Sequence, residues 1–472
     1  MRKPAYFQFY IFGFLIIPLQ KQMKLLPLLA FSLGCCLNLS AQSRFLPVDT
    51  TAFFADLTIR KQRAIAAAPE AYAEFFTDAL ESRDDDLKRE IREGNYLFND
   101  SLQHYLESIF DEVASGNEIA GDWLILVRRS QRPNAFSMGD QIFVVHLGLL
   151  QQLDTKEELA FVLAHELAHD ELRHQRNSML TMAAEQPDMA KKARKLSRQG
   201  LFAANDERKE RLAEDLRTTI YGRYSQDREK ELEADSIALV YIRNSPYEES
   251  LAARAISHLS DKDFYDLGGL DLPTVFGTES YPFKEKWIQI PDDAMFGGSF
   301  GSDEDTVAVK SWWSQDSVAT HPALDERQKA IERVVAADDG KPTIPHGWRE
   351  FAIREALDYQ LEKEASGPAL INALLLNRDF PEDSRYEARI GRALLVTYQA
   401  IIKHDFDEAV PPITYFRGAN AQAAIRMLRQ MRKRELEKLT LAYLNKKALA
   451  NPASMELKNL LGEANTFFDN QD

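Results

Sequence analysis

The sequence predicts an α+β fold that is mostly α: a small sheet set between long helical stretches, followed by an all-α C-terminal region. Two short β-rich runs, residues 123–127 and 141–145, interrupt a chain whose apolar residues otherwise recur largely at helical spacing. A helix with a complete start signal, Thr155 followed three residues later by Glu158, comes soon after the second run. Beyond Gly340-Lys341-Pro342 the pattern is helical to the C-terminus, in units such as 389–403 and 432–449. Composition sets the outer limits. Apolar residues make up 45% of the 472 positions, enough to fill real cores, which rules out a disordered chain. The net charge of −15 comes without basic clusters and leaves nucleic-acid binding without support. Cys35 and Cys36 are the only cysteines, so any transition metal must be held by His and carboxylates.

Taken in order, residues 1–41 differ from the rest. Two apolar runs, 6–19 and 25–39, each follow Lys or Arg, and each is shorter than the ~20 residues of a membrane-spanning helix. The second, read from Met23, has a basic start, an apolar stretch and a small-residue exit at Ser40-Ala41. It is expected to be a signal peptide cleaved before Gln42, with Met23 as an alternative start. The alternatives are one membrane anchor across both runs, or lipidation at Cys35 behind the poor attachment box Ser32-Leu33-Gly34. From Ser43 onward no apolar run reaches spanning length, so the mature chain is expected to be exported, periplasmic or secreted, and without a transmembrane helix.

Residues 42–89 form an expected N-terminal helical region, with Arg83-Asp84-Asp85-Asp86 as a solvated break. A central domain follows over 90–339. Its two short strands are flanked by turn-formers at 132–134 and 138–140, and residues 259–319 read as an extended loop region. The helical C-terminal domain is placed at 340–472. His404 to Ala409 resembles the turn inside a tetratricopeptide repeat, but no period of about 34 residues is sustained, and a plain bundle is the alternative.

The chemistry is concentrated at His165-Glu166-Leu167-Ala168-His169. On an amphipathic helix started by the Thr155 box, His165 and His169 share a face, with Cβ atoms about 6 Å apart, close enough for both rings to reach one Zn²⁺ at ~2.1 Å. Glu166 sits one residue round the helix, placed to touch an attacking water without ligating the metal. With nine His and 73 acidic residues in the chain, about 0.03 chance matches to His-acid-x-x-His are expected. Downstream, Glu231 and Asp235 lie four apart on a second helix pattern, beside the small Ala234 and Ala238 that allow close helix approach. Glu231 would complete a His₂Glu set with a fourth position open for water, and Asp235 would accept the free ring N–H of a ligating His, most naturally His165. A solvated ionic face is the alternative for that helix.

These residues resemble the gluzincin metallopeptidases, specifically peptidase family M48, which includes the membrane heat-shock peptidase HtpX and the CAAX prenyl endopeptidase. The matching blocks are Pro133-Asn134-Ala135-Phe136, Ile142 to Leu150, His165 to His169, Glu231 to Asp235, and Thr320-His321-Pro322 with Arg327. The resemblance implies a gluzincin-type domain and zinc endopeptidase activity, with one Zn²⁺ per chain on His165, His169 and Glu231, and Glu166 as catalytic base. Residues 176–224 are densely charged where membrane members carry spanning helices, so the chain is similar to the soluble periplasmic subgroup, some of which act in envelope protein quality control.

On this reading a donor is wanted for the developing oxyanion, and His321 and Arg327 are the candidates. Substrate would add as a strand beside Gln141, Ile142, Phe143, Val144 and Val145, unless that strand lies inside the sheet. Trp312-Trp313 would line a subsite or simply pack. His146, His174 and His258 read as surface or structural residues. Expected partners are protein or peptide substrates, with further protein partners through the C-terminal helices. Two other functions stay open: a proteolytically silent zinc-binding chaperone or adaptor, and a metal-dependent hydrolase of a non-peptide bond.

Overall fold

The structure, a computed structural model, describes residues 45–131, 133–185, 228–259, 267–290, 324–335, 345–416 and 418–470. The chain from Thr50 opens with two packed helices, α1 (Thr50–Ala66) and α2 (Ala73–Arg92). The expected solvated break at Arg83–Asp86 is corrected here, because it lies inside α2. Its first two charges are consumed by tertiary pairing. Asp84 is buried and accepts from Lys61 Nζ at 2.9 Å and Lys88 Nζ at 2.8 Å. Arg83 reaches out to the sheet, donating to the Met138 carbonyl at 2.6 Å and to Asp140 at 2.8 Å.

The sheet has four strands, β1 (Tyr96–Leu97), β2 (Leu124–Arg128), β3 (Ala135–Gly139) and β4 (Ile142–His146), in the order β1-β2-β4-β3. β4 pairs parallel with β2, from Leu124↔Ile142 to Arg128↔His146, and antiparallel with β3, from Ala135↔Val145 to Gly139↔Ile142. Residues 142–145 are therefore paired on both sides and fully buried, and a peptide cannot add there. This corrects the expectation that substrate lies along Gln141 to Val145. The sequence hid β3 because Met138-Gly139-Asp140 reads as a turn. The actual turn is the two-residue Asp140-Gln141, with φ of 58° and 62°, the left-handed pair that a tight hairpin requires. Among the described residues no strand pairs with the outer edge of β3.

Around the sheet run α3 (Asp100–Gly116), α4 (Leu147–Gln152), α5 (Lys156–Glu171), α6 (174–185), α7 (228–243), α8 (Ala252–His258), the short α9 (Leu272–Phe276) and α10 (Leu324–Glu332). Thr155 caps α5 and forms the full reciprocal box with Glu158, as its spacing predicts. The helix is not amphipathic, however: every residue from Glu157 to Ala168 is buried. It is the central post of the domain, and Leu159, Phe161, Leu163 and Leu167 each contribute about 1.5–3 kcal/mol by leaving water. α7 is fixed at its C-terminal end by α3. A Cβ at Gly116 would stand 2.2 Å from the Asn244 carbonyl, so only glycine permits this approach. Asn117 Nδ2 then donates to the Tyr241 carbonyl at 2.9 Å.

The C-terminal region is all-α: α11 (Arg349–Glu362), α12 (Ser366–Asp379), α13 (Ser384–Lys403), α14 (Phe406–Ala409), α15 (Ala419–Gln430), α16 (Lys433–Ala450) and α17 (Met455–Asp469). α11 joins the two cores, with Ala352 in the core around α5 and Ile353 and Leu357 in the core of the C-terminal helices. The segment expected as an extended loop is partly ordered by the same C-terminal core, into which Leu267, Leu272, Phe276 and Trp287 are buried. Among the described residues no helix is long and apolar enough to cross a membrane.

Candidate metal centre

Three helices from distant parts of the chain meet at one buried point. α5 brings His165 and His169, one turn apart, and α7 brings Glu231. His165 Nε2 and His169 Nε2 stand 3.0 Å apart, while Glu231 Oε2 is 3.5 Å from the first and Oε1 is 3.4 Å from the second. Ligand atoms held about 2.1 Å from a tetrahedral ion lie about 3.4 Å from one another, so this triangle has the size of one face of a zinc site. The charges fit as well. Glu166, Glu231 and Asp235 are all buried against the single guanidinium of Arg327, an excess of negative charge that a divalent cation would balance.

Burial and neighbouring charge set the protonation of these groups. Burial works against charge on His165, but the Asp235 and Glu231 carboxylates outweigh it and lift its pKa to about 9. Burial, helped by the neighbouring Glu231 charge, raises Glu166 to about 7. Burial and the charge of His165 push His169 down to about 3, leaving that ring neutral. Glu166 accepts the Ser137 backbone N–H at 2.9 Å, which ties the carboxylate to the edge strand β3. Ser137 Oγ in turn contacts Asp170 Oδ1 at 3.2 Å.

Behind these three residues lies a charged brace. His165 Nδ1 is 2.9 Å from Asp235 Oδ1. Arg327, from α10, donates Nε to Asp235 Oδ2 at 2.7 Å and Nη2 to Oδ1 at 2.6 Å, and its Nη1 lies 3.1 Å from Glu231 Oε2. The candidacy of Arg327 as oxyanion donor is corrected by this placement: the residue is 3% exposed and its fork is taken up by two carboxylates. It pairs with Asp235 and Glu231 together. His321 and Trp312-Trp313 lie outside the described residues.

Two participants escaped the sequence. His174 is buried, with Nδ1 3.0 Å from His169 Nδ1 and Nε2 3.2 Å from Glu233 Oε2. Five residues from His169 is not helical spacing. Arg173, at φ 55°, interrupts the helix and brings the ring back. Ser137 acts through its backbone N–H, which no residue type announces.

A helix-borne pair of histidines, a carboxylate from a second helix, and an adjacent glutamate bound to a sheet edge define a metallohydrolase centre of the metallopeptidase class. Residues 100–335 match Peptidase family M48, and the chain belongs to that family. It is also similar, at 26% identity over 184 residues, to a Vibrio cholerae serotype O1 protein named as a beta-barrel assembly-enhancing protease. That match covers 38% of this chain and 38% of the relative, so the similarity spans well under half of each.

Proposed function

We propose that the chain is a zinc-dependent endopeptidase acting on protein substrates. The observation that carries this reading is the buried His165, His169 and Glu231 triangle with Glu166 beside it. A zinc ion on His165 Nε2, His169 Nε2 and a Glu231 oxygen would supply Lewis acidity at the scissile carbonyl and a lowered pKa for the attacking water. Glu166 takes the water's proton and hands it to the leaving amine. The Ser137 N–H orients Glu166, Asp235 holds the Nδ1–H of His165, and Arg327 locks Asp235 and Glu231. Main-chain pairing with the outer edge of β3 would hold an extended peptide whatever its side chains, a few ångströms from Glu166. His321 is the proposed oxyanion donor.

The organisation proposed with it is a signal peptide over 1–41, an N-terminal helical region over 42–89, a metallopeptidase domain over 90–339 and a helical domain over 340–472 that engages partner proteins. We further propose export to the periplasm and a role in envelope protein quality control, which the name of the Vibrio relative supports. The test is cleavage of casein and of unfolded outer-membrane proteins by residues 42–472, with metal content measured before and after chelation. Activity lost with the metal and restored by stoichiometric Zn²⁺ is expected. Retained activity without metal overturns the reading, and a zinc-loaded chain that cleaves nothing would point instead to a silent adaptor.

A further inference from the structure

We propose that His174 is a positioning residue for the ligand His169, and that Glu233 sets the direction of the hydrogen bonds between them. The inference rests on the metal reading above and extends it to how the second histidine is kept in its ligating form. His165 has a carboxylate of its own, Asp235, at 2.9 Å from Nδ1. Among the described residues His169 has no such direct contact; it meets a second imidazole instead.

The protons on this chain of contacts admit one consistent arrangement. An ionised carboxylate only accepts, so Glu233 Oε2, 3.2 Å from His174 Nε2, requires the proton on that nitrogen. In a neutral ring Nδ1 of His174 then carries a lone pair. The 3.0 Å contact between the two Nδ1 atoms must therefore take its proton from His169, with His169 Nδ1 donating and His174 Nδ1 accepting. That leaves His169 Nε2 as a bare lone pair facing His165 Nε2 and Glu231 Oε1, the form in which imidazole binds a metal. If His174 were protonated on Nδ1 instead, the proton of His169 would be forced onto Nε2, at the metal position. The carboxylate of Glu233 thus selects the productive tautomer of a ring it does not touch. His174 is buried, with 7% of its side chain exposed, while Glu233, the source of the bias, has 57% exposed on the outer face of α7.

The experiment measures Zn²⁺ affinity by chelator competition, and the d–d spectrum of the Co²⁺-loaded protein, on the full chain. His174→Phe keeps the ring volume and removes the acceptor, and should weaken metal binding about 10 to 100-fold and change the Co²⁺ spectrum. His174→Asn places an amide oxygen near the Nδ1 position and should recover most of the loss. Glu233→Gln can still accept and should bind close to wild type. Glu233→Lys donates and reverses the chain, and should bind more weakly than Glu229→Lys, which adds the same charge on the same helix without reaching His174. Equal affinity and an unchanged spectrum in His174→Phe overturn the proposal, as does a loss that His174→Asn fails to recover. Equal affinities of Glu233→Lys and Glu229→Lys overturn the role given to Glu233. A wild-type chain without a zinc site would overturn the metal reading itself.

Discussion

Replacing Arg327 by Met separates two roles that the sequence could not distinguish. The side chain keeps its length and loses its charge, leaving Asp235 and Glu231 buried without their guanidinium partner. Breaking a buried ion pair by removing one partner costs about 3–5 kcal/mol. For a cooperative unit the size of the family match, residues 100–335, that is a fall in Tm of about 6–10 °C. Part of the effect is pH-dependent, with a definite sign. Burial raises the Asp235 pKa, but Arg327 and His165 more than offset it and hold the carboxyl at about 2, against an ordinary value of 3.8. A depressed carboxylate stabilises the fold above its unfolded pKa, and that contribution, on the order of 2 kcal/mol, is lost as pH falls from about 4 to about 2. Wild type should therefore lose stability through this window, and Arg327→Met should lose less, having less to lose. Thermal melts of chelator-treated protein from pH 2 to 7 measure both quantities. An unchanged Tm with intact zinc and a kcat reduced 100-fold would refute the brace and restore Arg327 as the oxyanion donor.

Glu166→Gln should retain stoichiometric zinc by mass spectrometry while kcat on casein falls about 100 to 10,000-fold, since an amide cannot accept the water's proton. His321→Ala should leave zinc content intact and lower kcat about 100 to 1000-fold with little change in KM; full activity would move the oxyanion donor elsewhere. Asp84→Asn should destabilise the chain at neutral pH. Burial raises the Asp84 pKa, but Lys88 and Lys61 outweigh it and lower the net value, so the difference from wild type should shrink as melts are taken below pH 4.

The cluster of His165, His169 and Glu231 that could hold a metal was legible because the spacing requirement on it is local. Helical periodicity alone puts His165 and His169 on one face, and Glu231 and Asp235 are spaced by the same rule. What stayed hidden depends on the path of the backbone. Strand β3 was masked by glycine and aspartate that serve its hairpin, and with it the interior position of 142–145. Asp84 reads as solvated because its lysines come from α1 and from the next turn of α2, and only packing brings all three together. Arg327 lies 92 residues from the Asp235 that occupies it. A lone arginine near a catalytic motif reads equally well as donor or as brace until its partners are seen.

The brace also ties the metal centre to the folding of the domain. Glu231 and Asp235 reach the histidines only if α7 is docked, and α7 is docked at one end by Gly116 of α3 and the following Asn117, and near its start by Arg327 of α10. Each contact joins segments far apart in sequence, so the candidate ligand set depends on tertiary docking and not on either helix alone. With α10 undocked, Asp235 and Glu231 lose their guanidinium, and burying two like charges beside Glu166 becomes unfavourable. If His165, His169 and Glu231 bind zinc, that binding and the seating of α10 are coupled through Glu231 and Asp235, and by reciprocity whatever displaces α10 changes zinc affinity by the same factor that zinc changes the docking of α10. The surroundings of His165 are thus completed by a helix more than 150 residues downstream.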